Sequence, residues 1–129
     1  MGNFNKEILI FIVVILFFHW FLDFFLQTEW QARNKSKDIK ALLSHVTVYS
    51  VGMTLIGAYW LQDIMKSLIL FGSIFSMHFL TDYITSNITR FLSYKAKQTD
   101  YWHTFFEVIG FDQLLHFVQI FGMLYLLMN

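Results

Sequence analysis

The chain has 129 residues, nine basic and nine acidic, with no net charge; it is 57% hydrophobic and 20% aromatic, with 16 Phe, and only 14% charged. So few charges, against roughly 25% in soluble domains, cannot give every helix of a soluble bundle a polar outer face, and zero net charge argues against a nucleic-acid partner. The absence of Cys excludes disulfides, thiolate metal ligands and a Cys nucleophile, and the absence of Pro excludes Pro-kinked helices.

Taken in chain order, four apolar runs predict four membrane spans, at about residues 6–27, 41–62, 66–89 and 104–128. Each is close to the roughly 20 residues that a helix needs to cross the hydrocarbon core. The first run follows a short, nearly uncharged start, with no small-residue cleavage site after it, so it is expected to be retained as a span. Residue 6 is Lys where a myristoylation signal wants Ser or Thr. The second run contains no Asp, Glu, Lys or Arg, and the other three each carry one Asp in their interior: Asp23, Asp82 and Asp112.

The connections set the orientation. Residues 29–40 carry Arg33, Lys35, Lys37 and Lys40, and residues 90–103 carry Arg90, Lys95 and Lys97. The opposite side has only Lys6 and Lys66. The positive-inside rule therefore predicts cytoplasmic basic loops and both termini outside. Aromatic anchors agree: Trp30, Tyr101 and Trp102 on one side, Tyr59 and Trp60 on the other. The fold expected is all-α: a polytopic membrane protein, one transmembrane domain over residues 1–129, folded as a four-transmembrane-helix antiparallel bundle. The expected location is a membrane, with lipids as neighbours and a homo-oligomer as an open alternative.

Three spans carry an ionisable pair at i, i+4: His19 with Asp23, His78 with Asp82, and Asp112 with His116. This spacing places both members on one helix face, one turn apart. The order reverses on the fourth span, which runs the opposite way, so depth is conserved. The three Asp fall in one layer, roughly 9–12 Å inside the cytoplasmic edge, and the three His about one turn deeper. His45, one turn into the second span, joins the shallower layer.

The same periodicity puts Thr85 behind His78 and Asp82, and Gln119 behind Asp112 and His116. His45, Tyr49, Gly52, Ile56 and Tyr59 share a face of the second span, where Gly52 would admit a neighbouring backbone. His103 and Glu107 lie about half a turn round from Asp112 and belong to the interface. A single His in an apolar span is most simply a packed, hydrogen-bonded residue. The Phe pairs (Phe17–Phe18, Phe24–Phe25, Phe105–Phe106) are most simply lipid-facing or core packing.

Three depth-matched carboxylates are different. Each costs at least a few kcal/mol at mid-helix and needs a proton, an ion partner or a cation. Interior Lys and Arg are missing from all four spans, so intramembrane salt bridges are not expected. A divalent cation or cation pair answers the deficit best. Imidazole with carboxylate suits zinc, iron or manganese. The candidate ligands are His19, Asp23, His45, His78, Asp82, Asp112 and His116. Tyr49, Thr85 and Gln119 would support them. Arg33, Asn34 and Lys35 would meet phosphate head groups at the same face.

Residues 19–36, which include Gln27-Thr-x-Trp-x-Ala-x-Asn-Lys-Ser36, together with His45, His78-Phe-Leu-Thr-Asp-Tyr83 and Asp112-Gln-Leu-Leu-His116, resemble the domain-of-unknown-function family numbered 3307. The resemblance runs from about Phe17 to His116. It implies a small bacterial or phage-encoded membrane protein, and so a multi-pass protein of the bacterial plasma (inner) membrane, and supplies no reaction.

Three functions fit these residues. One is a membrane-embedded, metal-dependent hydrolase acting on a lipid or isoprenoid phosphate, with one of Asp23, Asp82 and Asp112 outside the coordination shell as general base. Another is an oligomeric ion or proton channel or carrier. The third is a b-type haem carrier, with His19 and His78 as axial ligands.

Overall fold

The computed structural model describes residues 6–100 and 102–129, so the anchor assigned to Tyr101 and the reading of the first five residues lie outside it. Among the described residues every regular element is helical. The elements are α1 (Lys6–Trp20), a π-helical turn (Phe21–Phe25), α2 (Glu29–Asn34), α3 (Ile39–Leu61), α4 (Ile64–Thr99) and α5 (His103–Met128). Four stretches are long and apolar enough to cross a membrane: Lys6–Phe25, Ile39–Leu61, Ile64–Thr99 and His103–Met128.

Cross-helix contacts show these four packing antiparallel in turn. Phe11 meets Trp60 while His19 meets Tyr49, pairing α1 with α3. Gly57 faces Leu70 while His45 faces His78, pairing α3 with α4. Thr85 bonds Asp112 while Lys66 Nζ donates to the carbonyl of Leu127, pairing α4 with α5. Two glycines make the close approaches. A Cβ on Gly52 would lie 2.5 Å from Leu22, and one on Gly57 would lie 2.5 Å from Leu70. The space at Gly52, expected to admit a neighbouring backbone, is taken by the Leu22 side chain, and Gly57 makes a second such contact that the sequence reading did not include. Tyr59, placed on the same face as Gly52 by periodicity, instead points outward at 71% exposure.

Polar caps fix the helix ends. Asp38 accepts from the backbone N–H of Lys40 and opens α3; Asp63 accepts from that of Lys66 and opens α4. Gln62 and Asp100 adopt left-handed backbone (φ 50° and 54°) and end α3 and α4. Outward faces are apolar: Leu55, Phe111, Val118 and Leu126 are all exposed. Phe17, Phe24, Phe25 and Phe106 also point outward, while Phe18 packs against the core. Such surfaces are stable in hydrocarbon, not in water.

Two connections differ from the sequence expectation. Residues 90–103 are not a loop for most of their length, because α4 runs on to Thr99. Its 36 residues span about 54 Å against a hydrocarbon core of about 30 Å. Residues 29–40 contain α2, a short helix that folds back against the start of α3. Its N-terminus is a reciprocal capping box: Thr28 Oγ1 accepts from the Gln31 N–H, and Gln31 Oε1 accepts from the Thr28 N–H. Gln31 also donates to Ser44 Oγ at 2.8 Å, tying α2 to α3.

Candidate metal centre

All four membrane-length stretches converge on one buried polar cluster. Below it, away from the basic connections, the interior is mostly apolar, built from Ile15, Met53, Leu70, Ile74, Ile120 and Leu124 with the buried hydroxyls of Ser50, Thr54 and Ser67 among them. The two layers expected from helical geometry close into a single cluster, because one turn of stagger, about 5.4 Å, is within the combined reach of an imidazole and a carboxylate.

The π turn shapes the contribution of the first span. Leu26 N–H donates to the Phe21 carbonyl at 2.9 Å, a bond five residues back. The wider turn leaves Leu22 and Asp23 both buried. Leu22 fills the space opposite Gly52, and Asp23 enters the cluster. Single π turns inside helices recur at functional sites. The i, i+4 spacing of His19 and Asp23 does not reveal this one.

Four ligand atoms meet around one point: Asp23 Oδ1, His45 Nε2, His78 Nε2 and Asp82 Oδ2. His45 Nε2 lies 3.1 Å from Asp23 Oδ1, 3.3 Å from Asp82 Oδ2 and 3.3 Å from His78 Nε2. His78 Nε2 lies 3.5 Å from Asp23 Oδ1 and 3.7 Å from Asp82 Oδ2. A tetrahedral ion with bonds of about 2.0–2.1 Å sets its ligand atoms about 3.3–3.4 Å apart. A neutral imidazole carries one N–H, yet His45 Nε2 faces two carboxylate oxygens and a second imidazole nitrogen.

A second group shares Asp82. His116 Nε2 lies 3.2 Å from Asp82 Oδ1 and 3.5 Å from Asp112 Oδ2. Asp82 thus turns one oxygen to each group. Thr85 Oγ1 donates to Asp112 Oδ1 at 2.6 Å.

His19 is buried beside these groups but belongs to neither. Its Nδ1 is 2.6 Å from the Tyr49 hydroxyl and its Nε2 is 2.8 Å from Gln113 Oε1. Tyr49 O–H donates to Nδ1, so Nε2–H donates to Gln113. The Gln113 amide then donates to Asp23 Oδ2 at 3.2 Å and Asp112 Oδ2 at 3.1 Å. His19 therefore orients Gln113, and Gln113 ties a carboxylate of one group to a carboxylate of the other. Tyr49 also stacks on His78 at 3.9 Å between ring centroids, and His116 stacks on it at 4.1 Å. The Nδ1 atoms of His78 and His116 meet no hydrogen-bond partner among the described residues. Gln119 sits apart from the ligands, its amide donating to Thr81 Oγ1 at 2.7 Å.

The expectation that no salt bridge reaches this region is corrected by the fold-back at α2. Lys35 Nζ donates to Asp82 Oδ2 at 2.9 Å, although Lys35 lies outside every span. Burial works against its charge, but Asp82, Asp23 and Asp112 outweigh burial and hold the ammonium above the ordinary lysine value. The other two loop candidates stay out of the cluster. Arg33 pairs with exposed Glu29, and Asn34 donates to the Trp30 carbonyl. His103 and Glu107 pair with each other at the surface, 3.3 Å apart.

Sequence reasoning missed Gln113, Gln27 and the reach of Lys35. Gln27 lies one turn past Asp23, with its amide 3.3 Å from His45 Nδ1. The capping-box spacing Thr28-x-x-Gln31 would have signalled a helix in the loop, and with it the return of Lys35 toward the spans.

Two cavities lead to the cluster. One, of about 170 Å³, is lined by Asp23, Gln27, Lys35, Thr85, Asp112 and Gln113. The larger, about 550 Å³, is lined by Arg33, Lys35, Lys37, Arg90 and Lys97 and opens between α2 and the far end of α4. The two share Lys35, Ser86, Thr89 and Phe105. Ser86 Oγ on this common wall is buried without a hydrogen-bond partner.

The family model described as "Protein of unknown function (DUF3307)" matches residues 10–129. The chain belongs to that family. Neither the curated proteins nor the solved structures provide a match.

Proposed function

We propose that this member of the DUF3307 family is a multi-pass membrane protein that holds a divalent cation in the cytoplasmic half of its bundle and hydrolyses a lipid or isoprenoid phosphate there. The observation that carries the reading is the convergence of Asp23, His45, His78 and Asp82 at near-tetrahedral separations. Zinc, iron or manganese suits such a ligand set. A cation at this place supplies charge stabilisation and an acidified water.

The chain's own residues provide the rest. Asp112 is the least buried carboxylate of the cluster and faces the smaller cavity. Thr85 and Gln113 fix its two oxygens. Lys35 stands between Asp82 and both cavities, where its ammonium would meet a phosphate oxygen. Arg33, Lys37, Arg90 and Lys97 draw the anionic head group toward it. The apolar outer faces leave the lipid tail in the bilayer. Water attacks phosphorus, the ester oxygen leaves as the alcohol, and inorganic phosphate departs through the basic cavity.

The orientation belongs to the same reading: basic connections in the cytoplasm, both ends of the chain outside, in a bacterial plasma membrane. An oligomeric ion or proton path is the second reading; it draws on the same His/Asp cluster but gives no role to the basic cavity beside Lys35. Haem ligation by His19 is disfavoured, because both of its ring nitrogens are already engaged.

Elemental analysis of the detergent-purified protein, paired with phosphate release from a polyprenyl or diacylglycerol phosphate, tests the proposal. The wild type and His19→Gln should both carry metal, because His19 is not a ligand. His78→Ala should lose the metal and the activity together. Metal-free wild-type protein, or equal activity in His78→Ala, would refute it.

A further inference from the structure

The two ligand groups are unequal, and the difference suggests separate roles. The first offers four ligand atoms, all from buried side chains, and so satisfies a four-coordinate ion without help. The second offers three, from Asp82, Asp112 and His116, and its Asp112 is the most exposed carboxylate (14%) on the wall of the smaller cavity, which Asp23 of the first group also lines. Three protein ligands with a vacant position toward a cavity is the arrangement of a catalytic site. The two are joined by Asp82, whose Oδ2 faces His45 and His78 while Oδ1 faces His116.

We propose that the centre holds two divalent cations bridged by Asp82: a closed one on Asp23, His45 and His78, and an open one on Asp112 and His116 that binds together with a phosphate group from the cavity. This rests on the metal-centre reading above and adds to it the second cation and the ligand that completes it.

Charge explains why the second cation needs the anion. Asp23, Asp82 and Asp112 with Lys35 leave two negative charges in the cluster. One divalent cation neutralises them. A second leaves the buried centre with two positive charges, which is costly unless an anion enters with it. A phosphate dianion restores neutrality. Its route is the basic cavity, which adjoins the smaller one at Lys35, Ser86, Thr89 and Phe105. Metal pairs about 3.5–4 Å apart clamp both oxygens of a phosphoryl displacement, and a bridging carboxylate is the usual means of holding them so close.

Manganese is a suitable probe because its electron paramagnetic resonance separates an isolated ion from a coupled pair. The purified full chain in detergent is titrated with Mn²⁺, with and without inorganic phosphate. Without phosphate, one ion should bind, with the resolved hyperfine signal of an isolated site. With phosphate, two should bind and that signal should be lost to coupling. Asp112→Asn should bind one ion under both conditions, its retained ion also reporting that the variant is folded. One ion in the wild type with or without phosphate would overturn the second site while leaving the first standing. Two ions bound without phosphate would overturn the linkage to the anion. No ion under either condition would remove both this proposal and the metal centre beneath it.

Discussion

At the scale of single residues, Lys35 shows how a side chain from a connection becomes part of the bundle interior. Its ammonium sits 2.9 Å from Asp82 Oδ2 and is held above the ordinary lysine value. For a group whose folded value is raised, the stabilisation is fully present below the unfolded value, about 10.4 for lysine, and is lost as pH rises through the higher folded value. Without metal, Lys35→Met should lower stability by roughly 3 kcal/mol, the low end for breaking a buried pair, because the ammonium still reaches the cavities. The difference in melting temperature between wild type and variant should shrink as pH is raised from about 9 to above about 11. A difference that stays constant over that range would show that the pair contributes nothing through its charge. His19 teaches the complementary lesson. Its i, i+4 partner Asp23 is a candidate ligand, but Tyr49 and Gln113 occupy its ring nitrogens first. Spacing shows which face a residue occupies, not which neighbour on another helix reaches it.

At the scale of elements, the legible part of the structure was whatever repeats along one helix. The four apolar runs, the inward His/Asp faces and the close approach at Gly52 all follow from helical period. The π turn does not, since it depends on a bond five residues back from Leu26 to Phe21 that leaves no mark in composition. Nor does the extension of α4 to Thr99, because residues 90–99 are polar enough to pass for a loop. The fold-back at α2 is intermediate, since its capping box was present in the sequence and only its destination was hidden. That element also carries a testable consequence. Thr28→Ala removes one half of the reciprocal cap and should cost about 1 kcal/mol. The fold-back at α2 would then open more often, letting trypsin take the backbone at Lys35 and at the already exposed Arg33 and Lys37 into its active site. Faster cleavage at these sites, with a lower melting temperature, is the expected outcome. Unchanged cleavage and melting would mean that Gln31 bonded to Ser44 holds the fold-back without the cap.

For the whole molecule, the distribution of charge and the placement of the cavities point the same way. The basic residues Arg33, Lys37, Arg90 and Lys97 gather at the end of the bundle where the cluster opens, and the opposite end is closed by Lys66 on the Leu127 carbonyl. If the positive-inside bias orients this chain, the opening faces the cytoplasm and a phosphate-bearing lipid must present its head group from the inner leaflet. The chain has no Cys, so single cysteines report sidedness without background. Lys37→Cys and Lys97→Cys should react with a membrane-impermeant maleimide only in inverted vesicles. Gln62→Cys, in the turn between α3 and α4, should react in right-side-out cells. The reverse pattern would place the opening on the outer face and make an outer-leaflet or extracellular phosphate the only accessible substrate. Labelling of all three from both sides would indicate mixed insertion, which would sever the link between loop charge and direction of access. The expected single pattern would tie the basic cavity, the fold-back carrying Lys35 and the acidic cluster to one leaflet.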